Sequence, residues 1–155
     1  MNAIAPVVQR YDTATTWLSG RVPESLMLLS VRIAFGGIFW RSGQTKVEPG
    51  SWFTLTDATR ELFRTEYAGV PLPPALAAPL ANAAEHILPA LLLAGLFTRL
   101  SALGLLGMTL TIQIFVYPDA WWPEHSLWVA LALVLIMRGG GLFSADALLA
   151  GKRRQ

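Results

Sequence analysis

Long apolar runs dominate the chain, and shorter polar stretches separate them. The runs show neither the alternation of a half-buried strand nor the single stripe of a soluble amphipathic helix. An apolar run of about 20 residues suits a helix that crosses a bilayer. The pattern therefore predicts an all-α membrane protein, a four-transmembrane-helix bundle with spans at about 25–42, 75–97, 100–117 and 125–141. The last run is the shortest, and local thinning of the bilayer is one way to accommodate it.

Polar residues concentrate before and after these spans. Residues 1–23 form a predicted cytoplasmic leader, in which Tyr11 and Trp17 would touch the lipid surface as part of a short interfacial helix. The transmembrane domain then comprises 24–142, and a basic cytoplasmic tail comprises 143–155. One domain is expected from a chain of this length.

The longest internal polar stretch lies between the first and second spans. Residues 57–66 place apolar side chains at helical spacing among charged ones, which predicts a short amphipathic helix in the first extracytoplasmic loop. Residues 67–74 are rich in proline and return the chain to the bilayer. Two interpretations stay open: the loop lies on the membrane or caps the bundle, or it is a solvated connection with no further function.

Composition supports lipid as the solvent of this chain. Of its 155 residues, 54% are hydrophobic and only 14% are charged, whereas soluble domains have about 25% charged residues. The net charge of +2 is small and the basic residues are scattered, so we expect no nucleic-acid partner. The chain has no cysteine, which excludes a thiol relay, a disulfide and thiolate metal ligands.

Charges in the connections predict the orientation of the bundle. Arg99 lies between the second and third spans, and Arg138 follows the fourth. The charged residues of the turn between the third and fourth spans are both acidic, Asp119 and Glu124. By the positive-inside rule, both termini and the Arg99 turn face the cytoplasm. The first loop complicates this pattern, because it carries Lys46 and two arginines together with four acidic residues.

Three polar side chains, Asn82, Glu85 and His86, lie in the middle of the second apolar run. A charge near the bilayer centre costs roughly 2.5–3.5 kcal/mol on insertion scales, so Glu85 needs a partner, a water-filled cavity or a ligand, or it stays protonated. Arg32 is the only basic residue well inside another apolar run and is the predicted partner of Glu85. A helix rise of about 1.5 Å per residue, counted from the cytoplasmic ends of the spans, places four side chains in one layer: Arg32, Glu85, His86 and Gln113.

Two kinds of function suit this layer. It could hold a quinone head group and pass protons to it, and the candidate quinone-binding residues are then Arg32, Glu85, His86, Asn82, Gln113 and Trp40. Trp40 also suits the role of an interfacial anchor. Alternatively, Glu85 and His86 could move protons or bind a small polar solute in a transporter-like pore. The catalytic residues of any reaction stay unknown.

Two further interpretations involve no organic ligand. A shared metal ion is disfavoured, because His125 is predicted at the outer interface, two or more helical turns above His86. We therefore expect no metal site. A buried Arg32–Glu85 pair could also simply fix the packing of the helices, since polar groups in lipid need partners whatever else they do.

Several motifs occur in an order that resembles one membrane protein family. In chain order they are Arg32 with glycines after it, Gly43-Gln-Thr-Lys46, Glu85, Gly95-Leu-Phe-Thr-Arg99, Phe115-Val-Tyr-Pro118, a Trp-rich turn with His125, and Arg138-Gly-Gly-Gly-Leu-Phe-Ser-Ala-Asp146. Over about residues 25–148, this order is similar to that of the DoxX family of small four-helix bacterial membrane proteins. The long loop with its helix at 57–66 departs from the family pattern and suggests a distinct partner.

The resemblance implies an integral protein of the bacterial cytoplasmic membrane that supports a redox process. The family takes its name from a subunit linked to a thiosulfate:quinone oxidoreductase. Relatives are associated with oxidative-stress and with sulfur or metal-handling systems, which implies the alternative of a non-enzymatic transporter-like or scaffold subunit. By the same resemblance, Arg32 and Glu85 match the intramembrane charged positions, and Lys46, Arg99 and Asp146 match loop positions.

On this basis we expect an inner-membrane protein with a polar intramembrane site and a redox or stress-pathway partner. The partner would supply the redox centre, because the chain has no cysteine and no credible haem-ligand pair. Whether the chain is itself an enzyme, and whether it forms a homo-oligomer, stays open. Quinone is the candidate cofactor.

Overall fold

A computed structural model describes residues 4–152, and most of them belong to helices. Seven α-helices follow one another in this part of the chain: α1 Ala5–Leu18, α2 Arg21–Gln44, α3 Asp57–Thr65, α4 Pro74–Ala94, α5 Thr98–Phe115, α6 Ser126–Arg138 and α7 Ala145–Lys152. A 3₁₀ turn at Pro118–Ala120 and a π-helical turn at Trp121–His125 lead into α6. Between residues 4 and 152 there is no strand, only a single antiparallel bridge that joins Val47 to Leu55.

Four helical segments of the described chain are long and apolar enough to cross a membrane: Arg21–Gln44, Pro74–Ala94, Thr98–Phe115 and Pro118–Arg138. The predicted all-α fold with four membrane spans is therefore confirmed. Two spans differ clearly from the prediction, and the fourth also ends at Arg138 rather than near residue 141. The first span begins at Arg21 rather than near residue 25, because the extended backbone of Gly20 starts the helix earlier. The fourth is longer, since the Trp-rich turn is itself helical and extends the segment to 21 residues.

The predicted amphipathic helix of the first loop is α3. It begins after Thr56, whose hydroxyl accepts a hydrogen bond from the Thr59 N–H at 3.1 Å, as is typical of a helix N-cap. A small hydrophobic core joins this loop to α4 and consists of Val47, Leu55, Phe63, Ala77 and Ala78. The loop is thus packed on the end of the bundle rather than free in solvent.

The helices α2 and α4 are antiparallel, and glycines lie where they touch. A Cβ atom added at Gly36 would lie 3.3 Å from Leu93 Cγ and 3.6 Å from the Pro89 carbonyl oxygen. Gly43, near the end of α2, faces Glu85 and His86 in the middle of α4. Small residues let two helix backbones approach closely. The half of α4 that precedes this contact extends beyond the end of α2, where the 45–73 segment covers it.

The two ends of the bundle each contain a buried basic residue, Arg32 at one end and Lys46 at the other. The Arg32 end contains the turn between α4 and α5 and the chain after α6. The Lys46 end contains the end of α2, the segment 45–73 and the turn before α6. Between the two ends lies the main hydrophobic core, whose fully buried members are Leu28, Phe35, Phe39, Leu92, Ala102, Leu105, Ala132 and Leu135.

At the Arg32 end, the chain after α6 folds back over the turn between α4 and α5. The Asp146 carboxylate accepts hydrogen bonds from the backbone N–H groups of Phe97 at 2.8 Å and Thr98 at 2.9 Å. The Asp146 N–H in turn donates to the Gly95 carbonyl oxygen at 2.9 Å. A negative charge at the start of a helix is favourable, so Asp146 caps α5 from a distant part of the sequence.

We expect Asp146→Ala to lower the free energy of unfolding by about 1.5–3 kcal/mol, the range for hydrogen bonds to a charged group. The first backbone donors of α5 then lose their acceptor. Thermal unfolding in detergent, followed by circular dichroism, measures the change. Asp119→Ala is the matched control, because Asp119 is exposed. Equal unfolding temperatures for the two variants would show that Asp146 does not stabilise α5.

Both terminal regions are helical where the structure describes them. The helix α1, within the predicted leader 1–23, has no buried residue, and Trp17 is 67% exposed. The helix α7 lies within the predicted tail 143–155, of which Arg153 and Arg154 fall outside the described residues. The cytoplasmic location of both regions stays a prediction.

At the Lys46 end, a hydrogen bond ties the loop to the chain that follows α5. The Tyr117 hydroxyl donates to Glu66 Oε2. This hydrogen bond, with burial and the Glu66 charge adding to it, raises the pKa of Tyr117 from its ordinary 10 to about 12. Because the pKa is raised by folding, the protonated hydroxyl stabilises the fold fully below pH 10, and this contribution is lost as the pH rises from 10 to about 12.

We therefore expect the wild type to lose thermal stability at alkaline pH more steeply than Tyr117→Phe, which lacks the titrating hydroxyl. The measurement is the unfolding temperature in detergent below and above pH 10. Tyr11→Phe is the control, since Tyr11 is 68% exposed on α1. The same pH dependence in wild type and Tyr117→Phe would contradict the assigned hydrogen bond.

Candidate functional site

The helix α4 presents three buried polar side chains to the end of α2. Asn82, Glu85 and His86 are spaced so that they share one face of the helix, and their exposed fractions are 1%, 3% and 4%. A Cβ atom added at Gly43 would lie 2.8 Å from His86 Cε1 and 3.1 Å from Glu85 Cβ. Glycine at this position therefore lets the polar groups of α4 reach the end of α2.

Glu85 forms a buried ion pair with Lys46. The Lys46 Nζ atom lies 2.8 Å from Glu85 Oε2 and 3.0 Å from Oε1, and the two side chains are only 8% and 4% exposed. The Ser42 hydroxyl joins both charges, because it accepts from Lys46 Nζ at 2.8 Å and donates to Glu85 Oε1 at 3.0 Å. Each charge therefore has an oppositely charged partner at a degree of burial where an unpaired charge is costly.

His86, which follows Glu85, is held by two hydrogen bonds. Its Nδ1 lies 2.8 Å from the backbone oxygen of Asn82, and a carbonyl oxygen only accepts, so the network assigns a proton to Nδ1. Its Nε2 lies 2.9 Å from the side-chain nitrogen of Gln44, which is exposed. The imidazole therefore extends from the buried site toward the surface at Gln44.

Two tryptophans pack against His86. The ring centroids of Trp40 and Trp52 lie 5.5 Å and 5.8 Å from that of His86, in edge-to-face geometry. Asn82 holds Trp52 in place, since its Nδ2 donates to the Trp52 carbonyl oxygen at 3.1 Å. The Asn82 Oδ1 is buried and accepts no hydrogen bond within residues 4–152. Trp40, Asn82 and His86, three of the candidate residues, thus lie together with Trp52.

A cleft of about 330 Å³ lies beside the Lys46–Glu85 pair. Lys46 and Glu85 form its charged end, and most of the other lining side chains are apolar and come from α4, α5 and the segment 63–72. Leu80 of α4 and Gly107 of α5 line the cleft and are exposed. The cleft therefore opens on the side of the bundle, between α4 and α5.

The sequence matches a known family. A family model described as DoxX matches residues 27–118, a stretch that contains α3, α4, α5 and most of α2. The chain belongs to the DoxX family. No curated protein matches the chain, and no solved structure matches it. Lys46 and Glu85 lie inside the matched stretch of this DoxX protein, whereas the resemblance at residues 119–148 stays a prediction.

The predicted pairing of Arg32 with Glu85 is wrong for this DoxX protein. Arg32 precedes Gly43 by 11 residues on α2, about 16 Å at a rise of about 1.5 Å per residue. Its neighbour on α4 is Gly95, at the opposite end from Glu85, and its Nη2 donates to the Phe143 carbonyl oxygen at 2.7 Å. The prediction assumed that all spans begin at one level, whereas α2 extends well past the turn between α4 and α5.

Gln113 also lies apart from Glu85. Its Nε2 donates to the Pro118 carbonyl oxygen and its Oε1 contacts His125 Nδ1, both at 2.7 Å. His125, expected at the membrane interface, is 2% exposed and packs edge-to-face on Trp128 at 4.9 Å. The residues of the predicted layer thus belong to three separate polar groups, one around Arg32, one around Glu85 and one around Gln113. They are separate because the helices are staggered along the bundle.

Sequence reasoning missed four members of the site: Ser42, Gln44, Lys46 and Trp52. Lys46 was expected in a loop, where an exposed lysine is ordinary. The signal that could have found it is the polar run from Ser42 to Lys46, which directly follows the apolar part of α2. Because α2 ends beside the middle of α4, Lys46, which follows the end of α2, is buried against α4.

The chemistry available in this DoxX protein is that of hydrogen bonding and proton exchange. Lys46 supplies a donor, Glu85 an acceptor, and Ser42 connects the two. Within residues 4–152, no three His, Cys, Asp or Glu side chains lie close enough together to hold a metal ion. His86 and His125, the two histidines of the chain, belong to separate polar groups.

Proposed function

We propose that the cleft binds the head group of a membrane quinone and that the protein serves as a quinone-binding subunit in a membrane redox process. The observation that carries this proposal is the buried Lys46–Glu85 pair at one end of an otherwise largely apolar cleft of about 330 Å³. Small-molecule sites have volumes of about 300–1,000 Å³ and combine apolar walls with a few polar groups. A quinone matches such a site with its apolar body and polar oxygens.

The lateral opening supports entry of this ligand from the lipid. Leu80, at the mouth, is 59% exposed, and Gly107 across from it on α5 has no side chain to obstruct the way. Both residues belong to helices that can cross the membrane. A molecule dissolved in the bilayer could therefore reach the charged end without passing through water.

The charged end suits both oxidation states of the ligand. The Lys46 ammonium can donate a hydrogen bond to a quinone carbonyl in exchange for its long hydrogen bond of 3.4 Å to the Ser42 carbonyl oxygen. Glu85 Oε2 contacts the ammonium at 2.8 Å but accepts no well-aligned hydrogen bond within residues 4–152. Because this atom is buried, it can accept one from a quinol hydroxyl once the carboxylate turns toward the cleft. A site with a donor and an acceptor side by side can hold the quinone and exchange a proton with the quinol.

A second protein completes this function. Reduction of a quinone to a quinol takes two electrons and two protons, and this chain has no cysteine that could relay electrons. We therefore propose a redox partner that supplies the electrons, with this protein holding the acceptor in the membrane.

We also propose that the protein lies in a bacterial cytoplasmic membrane with both termini in the cytoplasm. Arg99 and Arg138 lie at the Arg32 end, and the acids Asp119 and Glu124 lie at the other. The positive-inside rule supports a cytoplasmic Arg32 end. The quinone cleft then lies in the outer half of the bilayer.

One observation favours a different function. The Lys46 ammonium already has acceptors on Ser42 and Glu85, so the pair can join the end of α2 to α4 without any ligand. The protein would then be a transporter-like or scaffold subunit, with the loop around α3 as its contact surface. A binding measurement separates the two functions.

The test is a titration of a short-tailed 1,4-benzoquinone into purified protein in detergent. Gly107→Leu fills the cleft, and a Cβ atom at Gly107 meets nothing within 4 Å, so the fold should tolerate it. Gly37→Leu is the matched control, because Gly37 is equally open and does not line the cleft. We expect saturable binding to wild type and Gly37→Leu, and a loss of about tenfold or more in Gly107→Leu, as overpacking of a filled site predicts.

Glu85→Gln adds a chemical control, since it keeps the side-chain shape and removes the charge. We expect it to weaken binding of the quinol more than binding of the quinone. Circular dichroism confirms that each variant is folded. A folded wild type that binds no quinone, or a Gly107→Leu variant that binds as tightly as Gly37→Leu, would overturn the proposed function in favour of the transporter-like or scaffold subunit.

A further inference from the structure

The segment 63–72 covers the cleft and brings one more polar side chain to it. Phe63, Tyr67, Val70 and Leu72 of this segment line the cleft, and only Tyr67 among them has a polar side-chain atom. Tyr67 is partly buried. A ligand that fills the cleft therefore contacts this tyrosine as well as the charged pair.

The Tyr67 ring is held by aromatic neighbours rather than by its hydroxyl. It stacks on Phe63 with centroids 4.5 Å apart and an interplanar angle of 27°, and it meets Tyr117 edge-on at 6.2 Å. The Tyr117 hydroxyl is used, since it donates to Glu66. The Tyr67 hydroxyl, by contrast, has no hydrogen-bond partner within residues 4–152. The ring is therefore held in place by its neighbours, and the hydroxyl is available to donate a hydrogen bond to a ligand.

The surroundings keep this hydroxyl protonated. Burial, with the charges of Tyr117, Glu85 and Glu66 adding to it, raises the pKa of Tyr67 well above its ordinary value of 10. The side chain is therefore a hydrogen-bond donor throughout the physiological range.

We propose that Tyr67 is a specificity-determining residue that donates a hydrogen bond to a second oxygen of the ligand, while the first oxygen lies at the Lys46–Glu85 pair. This inference rests on the proposed function and names its substrate class: a ring with two opposed oxygens, a 1,4-quinone or its quinol. A ligand with one polar end leaves the Tyr67 hydroxyl unpaired. A site built to hydrogen-bond a polar group discriminates against an analogue that lacks it.

The experiment compares two probes with the same alkyl tail: decyl-1,4-benzoquinone, with two opposed carbonyls, and a 4-decyl-4-methylcyclohexa-2,5-dienone, with one. Each is titrated into wild type, Tyr67→Phe and Tyr117→Phe in detergent. Tyr117→Phe is the matched control, because Tyr117 packs on Tyr67 but does not line the cleft. We expect wild type and Tyr117→Phe to bind the quinone about three- to tenfold more tightly than the dienone, the effect of one net hydrogen bond.

Tyr67→Phe should lose this preference through weaker quinone binding and unchanged dienone binding. If a folded wild type binds no quinone, the proposed function and this inference both fail. If Gly107→Leu abolishes quinone binding while Tyr67→Phe retains the full preference, the proposed function stands and the role of Tyr67 is overturned. An equal loss of preference in Tyr67→Phe and Tyr117→Phe would also overturn it, because the shape of the loop would then account for the effect.

Discussion

Lys46→Met is expected to lower the free energy of unfolding by about 3–5 kcal/mol, the cost of removing one partner from a buried ion pair. Methionine keeps a long apolar stem but leaves the Glu85 carboxylate, 3% exposed, with Ser42 as its remaining hydrogen-bond donor. Unfolding in a mixed micelle of increasing denaturing detergent, followed by circular dichroism, measures this difference.

Two comparisons make the Lys46 result specific. Arg60→Met removes a cation from an exposed pair with Asp57, whose side chains are 51% and 98% exposed, and should cost less than about 1 kcal/mol. The double variant Lys46→Met/Glu85→Leu removes both buried charges and should recover most of the lost stability. A Lys46→Met protein as stable as Arg60→Met would mean that the buried pair contributes no stability.

Gly95→Ala is expected to disrupt the Arg32 end of the bundle. Gly95 has a φ of +69°, a left-handed conformation that costs other residues about 1–2 kcal/mol. An added Cβ atom would lie 1.9 Å from Arg32 Nη1 and 2.5 Å from Ser144 Cβ. Both neighbours are buried, so relief of the overlap requires displacement of packed groups at about 1–3 kcal/mol more. The unfolding temperature and the yield of monodisperse protein report the effect.

Gly37→Ala provides the control for Gly95→Ala. Gly37 lies inside α2, and a Cβ atom there meets nothing within 4 Å, so alanine should be neutral or stabilising by about 0.5–1 kcal/mol. The fraction of Gly95→Ala that does fold should behave like the wild type in the quinone titration, because Gly95 is remote from the cleft. Equal unfolding temperatures for the two variants would rule out the close packing at Arg32.

The membrane spans could be predicted because their signal is local. A long apolar run between polar turns specifies a span whatever its neighbours do, and α4 and α5 begin and end close to the predicted 75–97 and 100–117. The start of the fourth span is less visible in the sequence. Prolines and acidic residues at 118–124 read as a turn, yet this turn continues the helical path through 3₁₀ and π geometry.

The partners of the polar groups could not be predicted, since they depend on how far the helices are displaced along one another. The spacing of Asn82, Glu85 and His86 predicts a shared face, and the three are indeed buried together. Their neighbours on α2 follow from the stagger of the two helices, which no local pattern encodes. That stagger brings Lys46 to Glu85 and leaves Arg32 at the opposite end.

The capping of α5 by Asp146 bears on the order in which this protein can be made. Asp146 follows Thr98 by 48 residues, and Phe143, whose carbonyl oxygen accepts from Arg32, follows Arg32 by 111. All four spans are therefore synthesised before either group exists. The ribosome can deliver the helices to the membrane one after another, but these contacts form only after residues 143–146 have been made. A product terminated before residue 143 would retain every span and lack the hydrogen bonds from Phe143 and Asp146.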